Sequence, residues 1–115
     1  MSNLKLPSMS FENLSTMKVP ASGKIAHNTY IRRNSDNVEV IYHTTVIAIV
    51  SSDNVAISNG GWATRTTADR LHAITRDNGL GYVNIRQGEM FYTPNGGKFG
   101  PDSAPVTGGY LLVSN

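Results

Sequence analysis

The sequence predicts an α+β domain: a mostly antiparallel sheet of about six or seven strands, one short helix and an extended N-terminal arm. Three observations carry this. Between residues 27 and 58, β-branched residues alternate or run together between clusters of turn formers. The pair Gly60-Gly61 then ends that pattern, and Ala68, Leu71 and Ile74 recur at helical spacing. Before all this, residues 1–23 carry apolar side chains with no sustained period of either kind. The expected organisation is therefore an arm over 1–23 and a single β-rich domain over 24–115.

Within the arm, Leu4, Leu6, Met9, Phe11, Leu14, Met17 and Val19 are too many apolar side chains for a free tail. We expect it to be docked, on its own domain or on a neighbouring copy, with one short helical turn over Ser10-Phe11-Glu12-Asn13-Leu14. Asn28 to Arg33 reads as a strand, Asn34 to Asn37 as a turn, and Val38 to Tyr42 as a half-buried strand. Thr44 to Val50 is β-branched except at Ala48, the composition of a central strand buried on both faces. Ser51 to Asn54 turns, and Val55 to Ser58 completes a four-strand meander.

The helix is expected from about Thr67 to Arg76, about ten residues, with Thr66 or Thr67 as its cap. Asp77-Asn78-Gly79 stops it through a left-handed residue at Gly79 or Asn78. Tyr82 to Arg86 and Glu89 to Thr93 flank a Gln87-Gly88 turn. Pro94 to Gly109, rich in glycine and proline, reads as an exposed loop, and Tyr110 to Val113 as a closing strand. The expected core is Val46, Ala48, Val50, Ile57, Trp62, Leu71, Ile74, Val83 and Ile85.

The chain of 115 residues has a net charge of +2 and no cysteine. No thiolate metal site, disulfide or cysteine nucleophile is available to it. Only Arg32-Arg33 are adjacent basic residues, short of the clustered Lys and Arg of a dedicated nucleic-acid binder. The longest apolar run, Val46 to Val50, is far below a bilayer span, and the first residues lack a signal-peptide pattern. These features point away from membrane embedding and general secretion.

No catalytic arrangement stands out. His27, His43 and His72 lack metal-ligand spacing, no glycine-flanked serine is present, and Gly60-Gly61 lacks the lysine and hydroxyl residue of a phosphate loop. We expect a binding protein without cofactor, and not an enzyme. The densest local specification runs from Asn59 to Arg70. One reading is structural: the glycines make a corner, Trp62 plugs the core, a threonine caps the helix and Arg70 bonds to backbone carbonyls. The other is a cation-bearing, hydroxyl-lined anion pocket of Thr64, Arg65, Thr66, Thr67 and Arg70, with Arg32 nearby. In that reading loss of Arg70 weakens binding but not folding. A third reading places Tyr30 with Arg32, and Tyr82 with Arg86, on one sheet face as a stacking platform for bases.

Asn28-Thr29, His43-Thr44-Thr45-Val46, the hairpin with Ser52-Asp53 and Gly60-Gly61-Trp62-Ala63-Thr64-Arg65-Thr66-Thr67-Ala68-Asp69-Arg70-Leu71 together resemble a group of small tailed-phage proteins. The resemblance covers roughly Asn28 to Leu71, with the arm and the glycine-rich tail looking individual to this chain. It implies a bacteriophage origin and no particular activity. With that origin, the expected role is an accessory protein acting in the host cytoplasm by binding. Its partner would be a phosphate-bearing nucleotide signal or a host defence protein, which is a counter-defence function. A virion decoration protein and a nucleic-acid-binding protein are the alternatives. The apolar arm also suggests a homo-oligomer, most simply a dimer.

Overall fold

Two antiparallel sheets and two helices form the α+β fold of the structure, a computed structural model that describes residues 5–113. The larger sheet has six strands in the order β1 (Lys24–Ala26), β2 (Thr29–Arg33), β3 (Val38–Tyr42), β4 (Thr45–Val50), β5 (Val55–Ile57) and β9 (Leu111–Val113). The smaller contains β6 (Tyr82–Arg86), β7 (Glu89–Thr93) and β8 (Ala104–Pro105). The nine strands exceed the expected six or seven because β1 and β8 are too short to give a period in the sequence. The expected four-strand meander is present as β2 to β5, extended by one strand at each edge.

Helix α1 (Phe11–Thr16) is the helical turn expected in the arm, so the fold has two helices and not one. Ser10 caps it, its hydroxyl accepting from the Asn13 amide at 3.2 Å. The arm is docked on its own domain, with Met9 and Leu14 fully buried in the common core. Polar contacts fix it in place. The Met9 amide donates to Asp77 at 2.9 Å, and the Phe11 amide donates to the Asn78 side-chain oxygen at 3.0 Å. Arg33 donates to the carbonyls of Leu14 and Met17. Gly23 ends the arm with φ +80°, and a Cβ there would sit 2.3 Å from the Ile31 carbonyl oxygen. The chain can pass β2 this closely only without a side chain.

Helix α2 (Arg65–Asp77) packs against β6 and β4 and buries Ala68, Leu71, Ala73 and Ile74. It is one turn longer than expected because its cap is Thr64, whose hydroxyl accepts from the Thr67 amide at 3.3 Å, and not Thr66 or Thr67. It ends in a Schellman motif. Gly79, at φ +73°, donates to the Arg76 carbonyl at 3.1 Å, and Leu80 donates to that of Thr75 at 2.9 Å.

Four expectations about burial are corrected. Trp62 is 65% exposed. The β4 strand is not buried on both faces: Ile47, Ala48 and Val50 are buried, while Val46 and Ile49 are half-buried on the other side. A register shift opposite Val40/Ile41 lets the consecutive residues Ile47 and Ala48 both enter the core. Ile85 is likewise half-buried. The Pro94–Gly109 segment is not wholly an exposed loop, since it supplies β8 and the buried Val106, whose amide donates to the Met90 carbonyl at 2.9 Å.

Candidate functional site

At one end of the larger sheet, two hairpin tips and the corner before α2 meet. The tips are His27-Asn28 and His43-Thr44, each a two-residue link between paired strands. Asn28 and His43 both take left-handed backbone conformations, at φ +51° and +57°. The tips are tied together by the His43 amide, which donates to the Asn28 carbonyl at 2.7 Å.

The corner is built by Asn59, an organising residue that the sequence reading does not single out. Its carbonyl accepts from the Trp62 amide at 2.9 Å across Gly60 (φ +64°) and Gly61 (φ +89°). Its side-chain oxygen accepts from the Gly61 amide at 2.7 Å, and its side-chain nitrogen donates to the Val106 carbonyl at 2.8 Å. The available signal was the Asn-Gly-Gly order itself, in which asparagine bonds its own backbone two residues on. A Cβ on Gly60 would lie 2.7 Å from the Thr45 methyl carbon, so the glycine also lets the corner pack against β4. Past the corner Trp62 is exposed, on the rim of a cleft that Tyr42 also lines.

Between corner and tips lies a cleft of about 440 Å³. Tyr42, His43 and Thr45 line one wall, and Trp62, Thr64 and Thr66 the other. The hydroxyls cluster: Thr64 Oγ1 is 3.2 Å from Thr66 Oγ1 and 3.1 Å from Thr67 Oγ1. Tyr42 and His43 form a tilted ring pair with centroids 4.3 Å apart. The volume is that of a small-ligand site.

The six residues expected to bind an anion divide. Thr64, Thr66 and Thr67 line the cleft at the start of α2. Arg65 is exposed as the first residue of that helix. Arg70 is 3% exposed and lies behind the cleft wall, its guanidinium 4.0 Å from the Tyr42 ring centroid. All three of its nitrogens have partners: Nε donates to Thr29 Oγ1 at 2.7 Å, Nη1 to the Thr66 carbonyl and Nη2 to the His27 carbonyl, both at 2.8 Å. Burial pulls its pKa down, and Tyr42 and Asp69 pull it up. Arg32 stands apart from this cleft. It pairs with Glu39 and lines a separate groove beside the arm.

The stacking platform is corrected too. Tyr30 and Arg32 lie in the larger sheet, whereas Tyr82 and Arg86 lie in the smaller one. The Arg86 guanidinium rests 4.8 Å from the Phe99 ring centroid. Among the described residues no group of histidines and carboxylates could hold a metal ion, and no helix is long and apolar enough to cross a membrane.

The residues that carry the phage resemblance converge here: Asn28 on His43, Thr29 on Arg70, Thr45 on Gly60, and Trp62 beside Thr64. Fold and cleft define a small antiparallel α+β domain with one aromatic, hydroxyl-lined recess at the sheet end. The sequence model of the Kyanoviridae Gp96 protein matches residues 8–105, and the chain belongs to that tailed-bacteriophage family. The match takes in the arm from residue 8 and reaches β8, so neither is individual to this chain. No curated protein and no solved structure matches it.

Proposed function

We propose that this phage protein acts by binding, and that its ligand is a phosphate-bearing nucleotide held in the cleft beside Trp62, captured to blunt a host defence signal. The observation that carries the reading is an exposed indole on the rim of a recess whose opposite parts are a tyrosine-histidine ring pair and a threonine cluster. The exposed indole offers a stacking face to a base, beside the Tyr42–His43 ring pair. The threonine hydroxyls and the first amides of α2 suit a phosphate, which the helix dipole also favours. Arg65 can reach an anion from the rim. Arg70 contributes positive charge through the wall, since no carboxylate pairs with it among the described residues.

Trp62 is the chain's only tryptophan, so its fluorescence reports on this cleft alone. Titration with a panel of linear and cyclic nucleotides should give saturable quenching for at least one of them. Calorimetry should show the same affinity, weakened at least tenfold by Thr66→Val and by Trp62→Ala. A panel that leaves both fluorescence and calorimetric heat flat would overturn the reading. Recovery of the chain on purified virions in that case would move it to a particle component.

A further inference from the structure

Asparagine followed by glycine occurs three times, at Asn59-Gly60, Asn78-Gly79 and Asn95-Gly96. In such a pair the glycine nitrogen, with no Cβ beside it, is free to attack the asparagine side-chain carbonyl carbon. The fold treats the three pairs differently. Asn59 is 6% exposed, and its side chain is held at both ends, the oxygen by the Gly61 amide and the nitrogen by the Val106 carbonyl. Its would-be nucleophile is engaged too, the Gly60 amide donating to Ser58 Oγ at 3.0 Å. Asn78 is fastened in the same way. Its oxygen accepts from the Phe11 amide, its nitrogen donates to the Met9 and Ile74 carbonyls, and the Gly79 amide donates to the Arg76 carbonyl. Asn95 and Gly96 are both exposed, and among the described residues neither the Asn95 side chain nor the Gly96 amide has a hydrogen-bond partner.

We infer that Asn95 is a site of spontaneous deamidation, and that the fold selects it over the other two pairs. Pro94 to Gly97 form a turn, closed by the Gly97 amide donating to the Pro94 carbonyl at 2.9 Å, with Gly96 at φ +82°. That φ is the type II value, and type II differs from type I by a flip of the central peptide, here Asn95–Gly96. Glycine takes both forms, and a Cβ on Gly96 would meet nothing within 4 Å, so the flip is unobstructed. It turns the Gly96 nitrogen about the Asn95 Cα–C bond, the rotation that brings this nitrogen onto the side-chain carbonyl. The nitrogen then gives its proton to water and bonds to Asn95 Cγ, while the side-chain nitrogen leaves as ammonia. Water opens the resulting cyclic imide at either carbonyl, to aspartate or to isoaspartate. One water is consumed and one ammonia released, with no change of oxidation state. Either product adds a negative charge to a loop in which the Asp102 carboxylate already holds the Lys98 amide at 2.8 Å.

Incubation of the full chain at mildly alkaline pH, followed by peptide mapping with mass spectrometry, tests this. In the folded protein Asn95 should convert faster than Asn59 or Asn78 by roughly tenfold or more, since several hydrogen bonds restrain each of the other two. Ion exchange should show a more acidic species that Asn95→Gln does not form. In urea the three sites should convert at similar rates, because the restraints on Asn59 and Asn78 are gone. A folded protein in which Asn59 or Asn78 converts as fast as Asn95 would overturn the inference. So would an Asn95 that stays intact over the time in which the urea-unfolded chain converts. An Asn95 that keeps the same lead in urea would overturn it too, since local sequence and not the fold would then set the order.

Discussion

Removing the Arg70 guanidinium would leave the Thr29 hydroxyl and the carbonyls of Thr66 and His27 without their donor, and the Tyr42 ring without its cation. Thr29 is fully buried, so water does not replace the lost bond there. Arg70→Met keeps much of the volume, yet should lower stability by about 2–4 kcal/mol in urea titration. Arg70→Lys should recover little, because an ammonium cannot reproduce the planar fork to three acceptors. Trp62 behaves in the opposite sense. A core tryptophan would cost about 3–5 kcal/mol on truncation. At 65% exposure, Trp62→Ala should shift the unfolding free energy by no more than ~0.5 kcal/mol, read from the same titration. The two variants together separate the supporting frame of the cleft from its rim.

At the scale of elements, α2 is fastened to the smaller sheet by a titratable group. His72 Nδ1 accepts from the Val83 amide on β6 at 3.3 Å, which requires a neutral ring with its proton on Nε2. Burial lowers the His72 pKa, Arg76 lowers it further, and Asp69 and Asp77 oppose them. A histidine whose folded pKa lies below its unfolded value binds a proton more readily once unfolded. Its contribution to stability is therefore complete above about pH 6.5 and is lost as the pH falls through that value toward the lower folded one. Thermal midpoints measured from pH 8 down to pH 5 should fall across the lower part of that range. In His72→Gln, which can still accept from Val83 but does not titrate, the fall should be shallower. An identical slope in both proteins would show that other groups govern the acid response.

For the whole molecule, the arm is part of the core. Met9 and Leu14 are fully buried, and the Asn78 side chain donates both to the Met9 carbonyl at 2.9 Å and to the Ile74 carbonyl at 2.7 Å. Arm and helix end thus share one hydrogen-bonded joint. Leu14→Ala should cost about 2–5 kcal/mol, the range for a buried leucine truncated to alanine. Calorimetric unfolding should show one transition at a lower midpoint. A midpoint within a degree or two of the parent would mean that the arm leaves the domain in solution. The arm's apolar residues, which in the sequence argue for a neighbouring copy, are accounted for within one chain.

What the sequence determined by itself was local. The turns at Asn34–Asn37 and Ser51–Asn54, the strand runs between them, the helix and its stop at Gly79, and the single turn at Ser10–Leu14 are all present. Each depends on residues within a few positions of one another, through turn chemistry, capping and hydrophobic period. Thr64, Thr66 and Thr67 were legible as candidates for the same reason, being neighbours at one helix start. Only the tertiary structure decided which way side chains face and what fills the space behind them. The Thr44–Val50 run reads as buried throughout, but burial depends on what packs against each face, and among the described residues Val46 and Ile49 stay half-buried, outside the core. Trp62 left the core place expected of it, whereas Arg70 took the place of the structural reading, donating to the carbonyls of His27 and Thr66 and to the Thr29 hydroxyl. Two of those residues lie some forty positions away in sequence, and no local period encodes their approach.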